Sequence, residues 1–171
     1  MLTPNELIKL LEIRGYDYDF HEHNALFTVE DSNKLRGEIA GLHSKNLFLK
    51  NKKNKFFLFS CEEFSKINLK TISKSLDLGN VSFAKKEYLL ELLGISPGSV
   101  TPFALLNNEE NNIDFYLEDK LFESEYINFH PLTNKATVTI KSRDFMEFMI
   151  ENKKKIHIFS TSNETIVKTY G

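Results

Sequence analysis

Residues 46–61 have the sequence NLFLKNKKNKFFLFSC, in which two apolar runs flank a short polar segment. The runs at 46–49 and 55–61 are rich in Phe and Leu and have the length of strands. The segment 51–54 between them holds only Asn and Lys, which suits an exposed turn. The stretch therefore predicts a β-hairpin, and the other elements are placed outward from it.

Upstream of the hairpin, Thr3, Pro4 and Glu6 have the pattern of a capped helix start, and Gly15 is expected to end that helix. Aromatic and acidic residues alternate over 16–21, which predicts a strand, and a short helix is expected at 30–36. Downstream, we predict helices at 69–78, 85–93 and 142–150, the second entered at Ser82 or Ala84 and the third capped by Ser142. Strands are predicted at 103–106, 113–117, 126–129, 137–140 and 156–159. A polar hairpin turn is predicted at 107–112.

The order of these elements predicts the fold class. Strands and helices intermingle, several neighbouring strands are joined by hairpins, and the sequence shows no repeat or linker. This favours a mixed α/β fold with a curled, barrel-like, largely antiparallel mixed sheet and peripheral helices. With 171 residues, of which 41% are hydrophobic, the chain 1–171 is expected to form a single domain, with residues 160–171 fraying.

Composition limits the classes of partner. The formal net charge of −2 provides no overall attraction to nucleic acid, so a polyanion site has to be a local basic patch. The lone Cys61 excludes an internal disulfide and suits a reducing compartment. No apolar run approaches the ~20 residues of a membrane span, and the first residues lack the pattern of a signal peptide. We therefore expect a cytoplasmic protein without a membrane partner.

Metal and cofactor chemistry has little support in the sequence. His21 and His23 would lie on one face of a strand, but no third zinc ligand stands at a useful spacing, so two surface histidines are the better interpretation. Cys61 lies in an apolar strand, which predicts a buried, inert thiol. Phosphate-binding glycine loops and the Gly-x-Ser-x-Gly motif of serine hydrolases are missing. No metal or cofactor is predicted.

Three segments hold the remaining candidates. Residues 94–103, GISPGSVTPF, contain two of the 7 Gly and two of the 4 Pro, and suit either a helix C-cap with a tight turn or a rigid loop whose backbone faces a ligand. Lys45 precedes a run of lysines, which suits either a solvated hairpin tip or a single lysine that binds a phosphate or a carbonyl oxygen. His130 lies in a polar turn and has either a structural or a catalytic role.

Taken together, the segments SKNLFL (44–49), PGSVTPF (97–103) and NFHPLTN (128–134) closely resemble the YbaK/ProX family of aminoacyl-tRNA editing domains, which also occur inserted in bacterial prolyl-tRNA synthetases. The last segment is most similar to the free-standing ProX branch, which removes alanine from proline tRNA, and less similar to the cysteine-removing YbaK branch. The resemblance covers nearly the whole chain in order and spacing.

The resemblance implies hydrolysis of the aminoacyl ester of mischarged proline tRNA, foremost alanyl-tRNA, without a cofactor. Its implied partners are the tRNA acceptor end and prolyl-tRNA synthetase. Another aminoacyl group, such as cysteine, and a non-catalytic tRNA- or synthetase-binding module are the alternatives. The implied catalytic residues are Lys45, Gly98 and His130; the substrate-binding residues are Asn46, Ser99, Val100, Thr101, Pro102 and Asn134; the tRNA-binding residues are Lys50, Lys52 and Lys53; and the candidate pocket walls are Leu26, Phe27, Leu42 and Val100.

Overall fold

The computed structural model describes residues 1–24 and 39–171. Helices and strands are interspersed along this part of the chain. The helices are α1 (Pro4–Ile13), α2 (Leu69–Ser75), α3 (Lys86–Tyr88, continued as a π-helical turn, Leu89–Leu93), a 3-10 helix (Pro102–Asn107), α4 (Asp119–Glu123) and α5 (Ser142–Glu151). The strands are β1 (Tyr18–Glu22), β2 (Leu42–Asn51), β3 (Phe56–Glu62), β4 (Val81–Phe83), β5 (Ile113–Glu118), β6 (Tyr126–Phe129), β7 (Ala136–Lys141), β8 (Ile156–Ser160) and β9 (Thr165–Tyr170).

The strands of the described chain form one sheet in the order β1-β7-β6-β2-β3-β5-β8-β9, and β4 adds to β2. Hairpin-type pairs such as β2–β3 and β6–β7 are antiparallel. The pairs β2–β6, β3–β5 and β5–β8 are parallel. The predicted fold class, a mixed, largely antiparallel sheet with peripheral helices, is confirmed.

Apolar side chains pack on both faces of the β2–β3 hairpin, because successive residues of a strand point to opposite faces. On one face, Phe48 and Leu58 join the larger core cluster, which also contains Phe103 and Phe129. On the other face, Leu49 and Phe57 join a smaller cluster under α2 that includes Cys61. The hairpin predicted from 46–61 is thus at the centre of the sheet. Its first strand is longer than predicted at both ends, because it runs from Leu42 to Asn51.

Most of the predicted elements are present, but five local predictions are wrong. Residues 103–106 form a 3-10 helix and no strand, because Pro102 lies in its first turn and Thr101 Oγ1 accepts from the Phe103 amide. The turn at 107–112 therefore joins a helix to β5 and is no hairpin turn. The N-cap of α3 is Lys85, without a side-chain cap, and α3 passes into a π-helical turn after Tyr88.

Ser142 does not cap α5; its hydroxyl donates to the Leu121 and Ser124 carbonyls and ties α5 to α4. Residues 165–170 pair with β8 as the edge strand β9, where fraying was expected. The helix expected at 30–36 lies outside the described residues. No helix in the described ranges has the length and apolarity that crossing a bilayer requires.

Gly41 provides a test of the close approach between β2 and β6. Its φ is +89°, and a Cβ placed there would lie 2.7 Å from the backbone oxygen of Tyr126. Gly15 has a comparable φ of +78°, and a Cβ placed on it would have no atom within 4 Å, so it is a matched control for backbone strain alone. We expect Gly15→Ala to lower the free energy of unfolding by about 1 kcal/mol.

Gly41→Ala is expected to cost about 1–3 kcal/mol more than this, because the clash with backbone adds to the strain. Urea unfolding of the two variants and the parent protein measures the loss from backbone strain and the further loss from the clash. Equal losses in the two variants would contradict the close approach of β2 and β6 at Gly41.

Candidate active site

The candidate site begins where β2 separates from β6. These strands pair in parallel only at Leu42↔Ile127 and His43↔Asn128. Lys45 and His130 each lie two residues beyond the last of these pairs, Lys45 on β2 and His130 just after β6. Because the side-chain period of a strand is two residues, Lys45 lies on the same face of β2 as His43. His130 follows the end of β6, and it is near enough to His43 for the charge that His43 can carry to lower its pKa. The register therefore brings Lys45 and His130 to the same end of the β2–β6 pair.

The Lys45 side chain is held by the loop that follows β3. Its ammonium donates to the backbone oxygen of Ser65, and its backbone pairs with Cys61 across the hairpin. An ammonium group has three N–H donors, so the bond to Ser65 leaves two for other acceptors. The half-buried Lys45 is thus fixed in direction while it keeps donors for an anionic or carbonyl ligand.

His130 is half-buried in the turn between β6 and β7, and its Nδ1 lies 3.0 Å from the Ala136 backbone oxygen. A carbonyl oxygen only accepts, so Nδ1 carries the proton and Nε2 of the neutral ring is an acceptor. Burial lowers the pKa of His130 below its ordinary value of 6.5, and the charges that His23 and His43 can carry lower it further. The hydrogen bond to Ala136 opposes this shift only in part.

His23 lies beside His130, with 6.3 Å between the ring centroids. Its Nδ1 donates to the Asn24 backbone oxygen at 2.8 Å, and its Nε2 accepts from the Thr137 hydroxyl at 2.9 Å. His23 is therefore part of the site's surroundings, and the prediction of a plain surface histidine is incomplete for this residue. Within the described ranges, no group of three or more His, Cys, Asp or Glu side chains is arranged to hold a metal ion.

The Gly/Pro-rich loop meets the same turn from the other side. Gly98 has a φ of +88°, and a Cβ placed on it would lie 3.4 Å from Nδ2 of Asn134. The turn that contains Gly98 is closed by a bond of 3.1 Å from the Ser99 amide to the Ser96 backbone oxygen. The Gly98 backbone and the Asn134 amide are therefore neighbours, which brings two of the three motif segments into contact.

The residues that follow Gly98 anchor this loop in the core. Ser99, Thr101 and Pro102 are buried, and Val100 packs partly against the larger core cluster. Phe103 is fully buried and packs edge-to-face on Phe129 of β6, with 6.0 Å between the centroids. The contacts of Ser99, Thr101 and Pro102 thus fix the loop, and its exposed backbone at 96–98 is the part that a ligand can reach.

Asn46 lies on the opposite face of β2 from Lys45, because adjacent strand residues alternate. Its Oδ1 accepts from the Ser60 hydroxyl at 2.5 Å, and its Nδ2 donates to the Ser44 hydroxyl at 3.2 Å. Ser44 in turn donates to the Asn128 backbone oxygen at 2.8 Å. This chain of bonds joins β3, β2 and β6 at the level of Lys45.

The predicted tRNA-binding lysines lie toward the other end of β2. Lys50 is half-buried, with its ammonium 5.9 Å from the centre of the Tyr88 ring, whereas Lys52 and Lys53 are exposed at the hairpin tip. With a strand rise of about 3.3 Å per residue, Lys50 is about 17 Å from Lys45 along the strand. These lysines are therefore remote from the candidate site and suit contacts with a longer, extended polyanion.

Sequence analysis missed two groups around Lys45. Ser65 supplies the backbone oxygen for the Lys45 ammonium, and the carboxylate of Glu118, fully buried, accepts from the Ser65 hydroxyl at 2.8 Å. Neither residue lies in a motif, and only the three-dimensional packing joins them to Lys45. Cys61 is fully buried as predicted, and burial raises the pKa of its thiol, which keeps it protonated. Leu26 and Phe27, proposed as pocket walls, lie outside the described residues.

Comparison with known proteins shows the family to which the sequence is similar. Residues 23–148 match the model of the aminoacyl-tRNA editing domain. The prolyl-tRNA synthetase associated domain-containing protein 1 of Xenopus laevis is 38% identical over 133 residues, which are 75% of this chain and 79% of that protein. The prolyl-tRNA editing protein ProX of Acetoanaerobium sticklandii is 29% identical over 147 residues, which are 85% of this chain and 89% of that protein.

The fold is also similar to a solved structure. The crystal structure of a candidate trans-editing enzyme for prolyl tRNA synthetase superposes with a TM-score of 0.66. The alignment covers 91% of this chain and 96% of that chain at 19% identity, so this likeness supports the fold alone.

The lowered pKa of His130 has a measurable consequence. The unfolded chain binds a proton at this residue near pH 6.5, whereas the folded protein binds it only at lower pH. The contribution of His130 to stability is therefore complete above pH 6.5 and is lost as the pH falls. NMR titration of the imidazole C–H signals, with His130→Asn to assign the His130 signal, should show its midpoint below 6.5. A midpoint at or above 6.5 would contradict the buried, neutral ring.

Proposed function

Because the chain belongs to the family of aminoacyl-tRNA editing domains, it is an aminoacyl-tRNA deacylase, and we propose that it acts in trans on mischarged proline tRNA, foremost alanyl-tRNA. Its products would be the free amino acid and the tRNA. The proposal takes residues 1–171 as one editing domain that acts in the cytoplasm, with the acceptor end of the tRNA as its ligand and prolyl-tRNA synthetase as a further partner. No metal or cofactor is part of the proposed reaction.

The observation that carries the proposal is the placement of the three motif segments. The β2–β6 pairing ends two residues before Lys45 and two residues before His130, and Gly98 is close to Asn134 in the turn that also contains His130. All four residues lie within the range that matches the family. The relative that is named a prolyl-tRNA editing protein supports the choice of tRNA.

An aminoacyl ester is already activated, so its hydrolysis requires a positioned water and stabilisation of the developing oxyanion more than a strong nucleophile. The two donors that remain on the Lys45 ammonium would bind the terminal ribose-phosphate or the ester oxygen. The exposed backbone around Gly98 would lie against the reacting carbonyl or the water, where a residue without a side chain permits close approach.

The neutral ring of His130 would supply the acceptor in the site. Since Nδ1 donates to Ala136, Nε2 would accept from the substrate's ammonium group or from a ribose hydroxyl. Asn134, at the turn beside Gly98, would contact the same end of the substrate, with Asn46, Ser99, Val100, Thr101 and Pro102 ordering the strand and the loop around it. Lys50, Lys52 and Lys53 would bind phosphates farther along the tRNA.

Selectivity for the aminoacyl group would follow from the size of the editing pocket. A synthetase site that is large enough for proline cannot strongly reject the smaller alanine, whereas an editing pocket sized for alanine excludes proline by steric clash. Discrimination against still smaller groups is limited to about 1–3 kcal/mol per methyl or methylene. Leu42 and Val100, both packed partly against the larger core cluster, are the described candidates for the pocket walls.

Lys45→Ala is the first test of the proposed site. We expect the variant to lose at least about 100-fold in kcat/KM for deacylation of alanyl-tRNA of the proline isoacceptor, because the substrate end is no longer held. Lys52→Ala is the matched control, since it removes an exposed lysine remote from the site and should affect mainly the salt dependence of binding. Unchanged turnover by Lys45→Ala would refute the role of Lys45.

The same assay, run with proline tRNA charged with alanine, cysteine or serine, determines which aminoacyl group the protein removes fastest. Fastest hydrolysis of the alanyl ester supports the proposal, whereas preference for the cysteinyl ester would show a different editing specificity. Binding of the tRNA without turnover of any ester would show a non-catalytic module.

Gly98→Ala tests the close backbone approach in the loop. An alanine at position 98 would have a positive φ, and its Cβ would obstruct the proposed approach of the ligand to the backbone. We therefore expect a loss of about 10-fold or more in kcat. Gly79→Ala is the control, because it has a similar φ of +77° and its nearest atom, on Asn51, is 4.0 Å away. The two variants should lose similar stability by thermal melting, and only Gly98→Ala should lose activity. Parental rates in Gly98→Ala would argue against the loop's role.

A further inference from the structure

Glu118 is the last residue of β5, and its side chain is fully buried. A buried carboxylate is costly unless its oxygens accept hydrogen bonds, so such a residue requires an explanation in terms of its partners. The motif segments contain no part of β5. Glu118 is therefore a buried ionisable group that the proposed chemistry does not use directly.

Both oxygens of the carboxylate accept hydrogen bonds, and two of the three donors belong to the end of β3 and the loop that follows it. Oε1 accepts from the Glu62 amide at 2.8 Å and from the Ser65 hydroxyl at 2.8 Å. Oε2 accepts from the Thr161 hydroxyl in the β8–β9 turn. Two bonds from one oxygen thus clamp the start of the chain segment that follows β3.

The same segment holds the Lys45 ammonium. The Ser65 backbone oxygen accepts from Lys45, while the Ser65 hydroxyl is bound by Glu118 and is 3.3 Å from the ammonium of the exposed Lys120. Ser65 itself is buried, so its two polar groups have these protein partners in place of water. A single residue therefore links the buried carboxylate of β5 to the lysine of β2.

We propose that Glu118 is a positioning residue that sets the direction of the Lys45 ammonium through Ser65. This inference rests on the proposed function, in which Lys45 holds the substrate end. A lysine has a long, flexible side chain, and its donors point usefully only if one of them is fixed. The bond to Ser65 fixes one donor, and the clamp by Glu118 fixes Ser65. Glu118 itself contacts no substrate.

A purely structural role of Glu118 is the competing interpretation, and the variants are chosen to separate the two. Glu118→Ala removes the clamp. Glu118→Gln keeps an oxygen for Glu62 and Ser65 and presents an amide to the Thr161 hydroxyl, which can rotate to accept. Ser65→Ala removes the hydroxyl and keeps the backbone oxygen. Ser142→Ala is the stability control, because it deletes a buried hydroxyl that bonds to Leu121 and Ser124 and does not touch the loop.

The kinetic arm compares each variant with and without Lys45→Ala, in steady-state deacylation of alanyl-tRNA. We expect Glu118→Ala to lower kcat/KM by about 10- to 100-fold and to change the same parameter, kcat or KM, that Lys45→Ala changes. Ser65→Ala should show a smaller loss in the same direction, and Glu118→Gln should remain near the parent. In the Lys45→Ala background, Glu118→Ala should cause no further loss, because the two act as a unit. An equal loss in both backgrounds would overturn the inference.

A second arm does not depend on turnover. Acetylation of individual lysines by acetic anhydride, followed by mass spectrometry, should show faster modification of Lys45 in Glu118→Ala and Ser65→Ala than in the parent, with Lys52 as the internal reference and Ser142→Ala unchanged. Unaltered Lys45 reactivity would overturn the inference. If Lys45→Ala keeps parental turnover, the proposed role of Lys45 fails, whereas the acetylation arm still decides whether Glu118 orders it. If Glu118→Ala does not fold, Ser65→Ala carries both arms, with Glu118→Gln as the variant that should remain near the parent.

Discussion

The site depends on the way β2 divides its pairing between two neighbours. One edge of β2 pairs with β3 from Ser44 to Lys50, which fixes the strand in the centre of the sheet. The other edge pairs with β6 only over Leu42–His43 and with β4 only over Leu49–Asn51. Between these two short pairings, β6 and β4 no longer run beside β2, and no other strand of the described chain pairs with this edge. In the described chain, the edge of β2 beside Lys45 is therefore not covered by a further strand.

Buried polar groups maintain this arrangement. The Asn128 side chain donates to the Ala40 and Leu42 backbone oxygens and accepts from the Thr139 hydroxyl, so it joins β2, β6 and β7 where β2 and β6 begin to separate. Glu118 and Ser65 likewise join β5 to the loop after β3 and, through the Ser65 backbone oxygen, to Lys45. Each of these groups is inside the protein, where an unmade bond costs about 1–3 kcal/mol, and this cost favours a single geometry.

Sequence analysis predicted the elements that local chemistry governs. The Thr3-Pro4 helix start, the hairpin of 46–61 and the strands at 113–117 and 137–140 follow from caps, turns and apolar patterns, and the structure contains all of them. The predictions failed where distant contacts override such patterns. Residues 103–106 are apolar enough for a strand, but Pro102 and the packing of Phe103 on Phe129 make them a helical turn. Residues 165–170 are polar, but pairing with β8 makes them a strand.

The sequence by itself determined which residue types are available for the proposed chemistry: Lys45 at a strand start, Gly98 between two prolines and His130 before a proline. Tertiary structure decided their relationship, because the parallel register of β2 with β6 joins segments that are far apart in the chain and leave no local pattern. It also decided the state of each group. The tautomer and lowered pKa of His130 come from Ala136, His23 and burial, and the direction of Lys45 comes from Ser65, which are contacts that only folding creates.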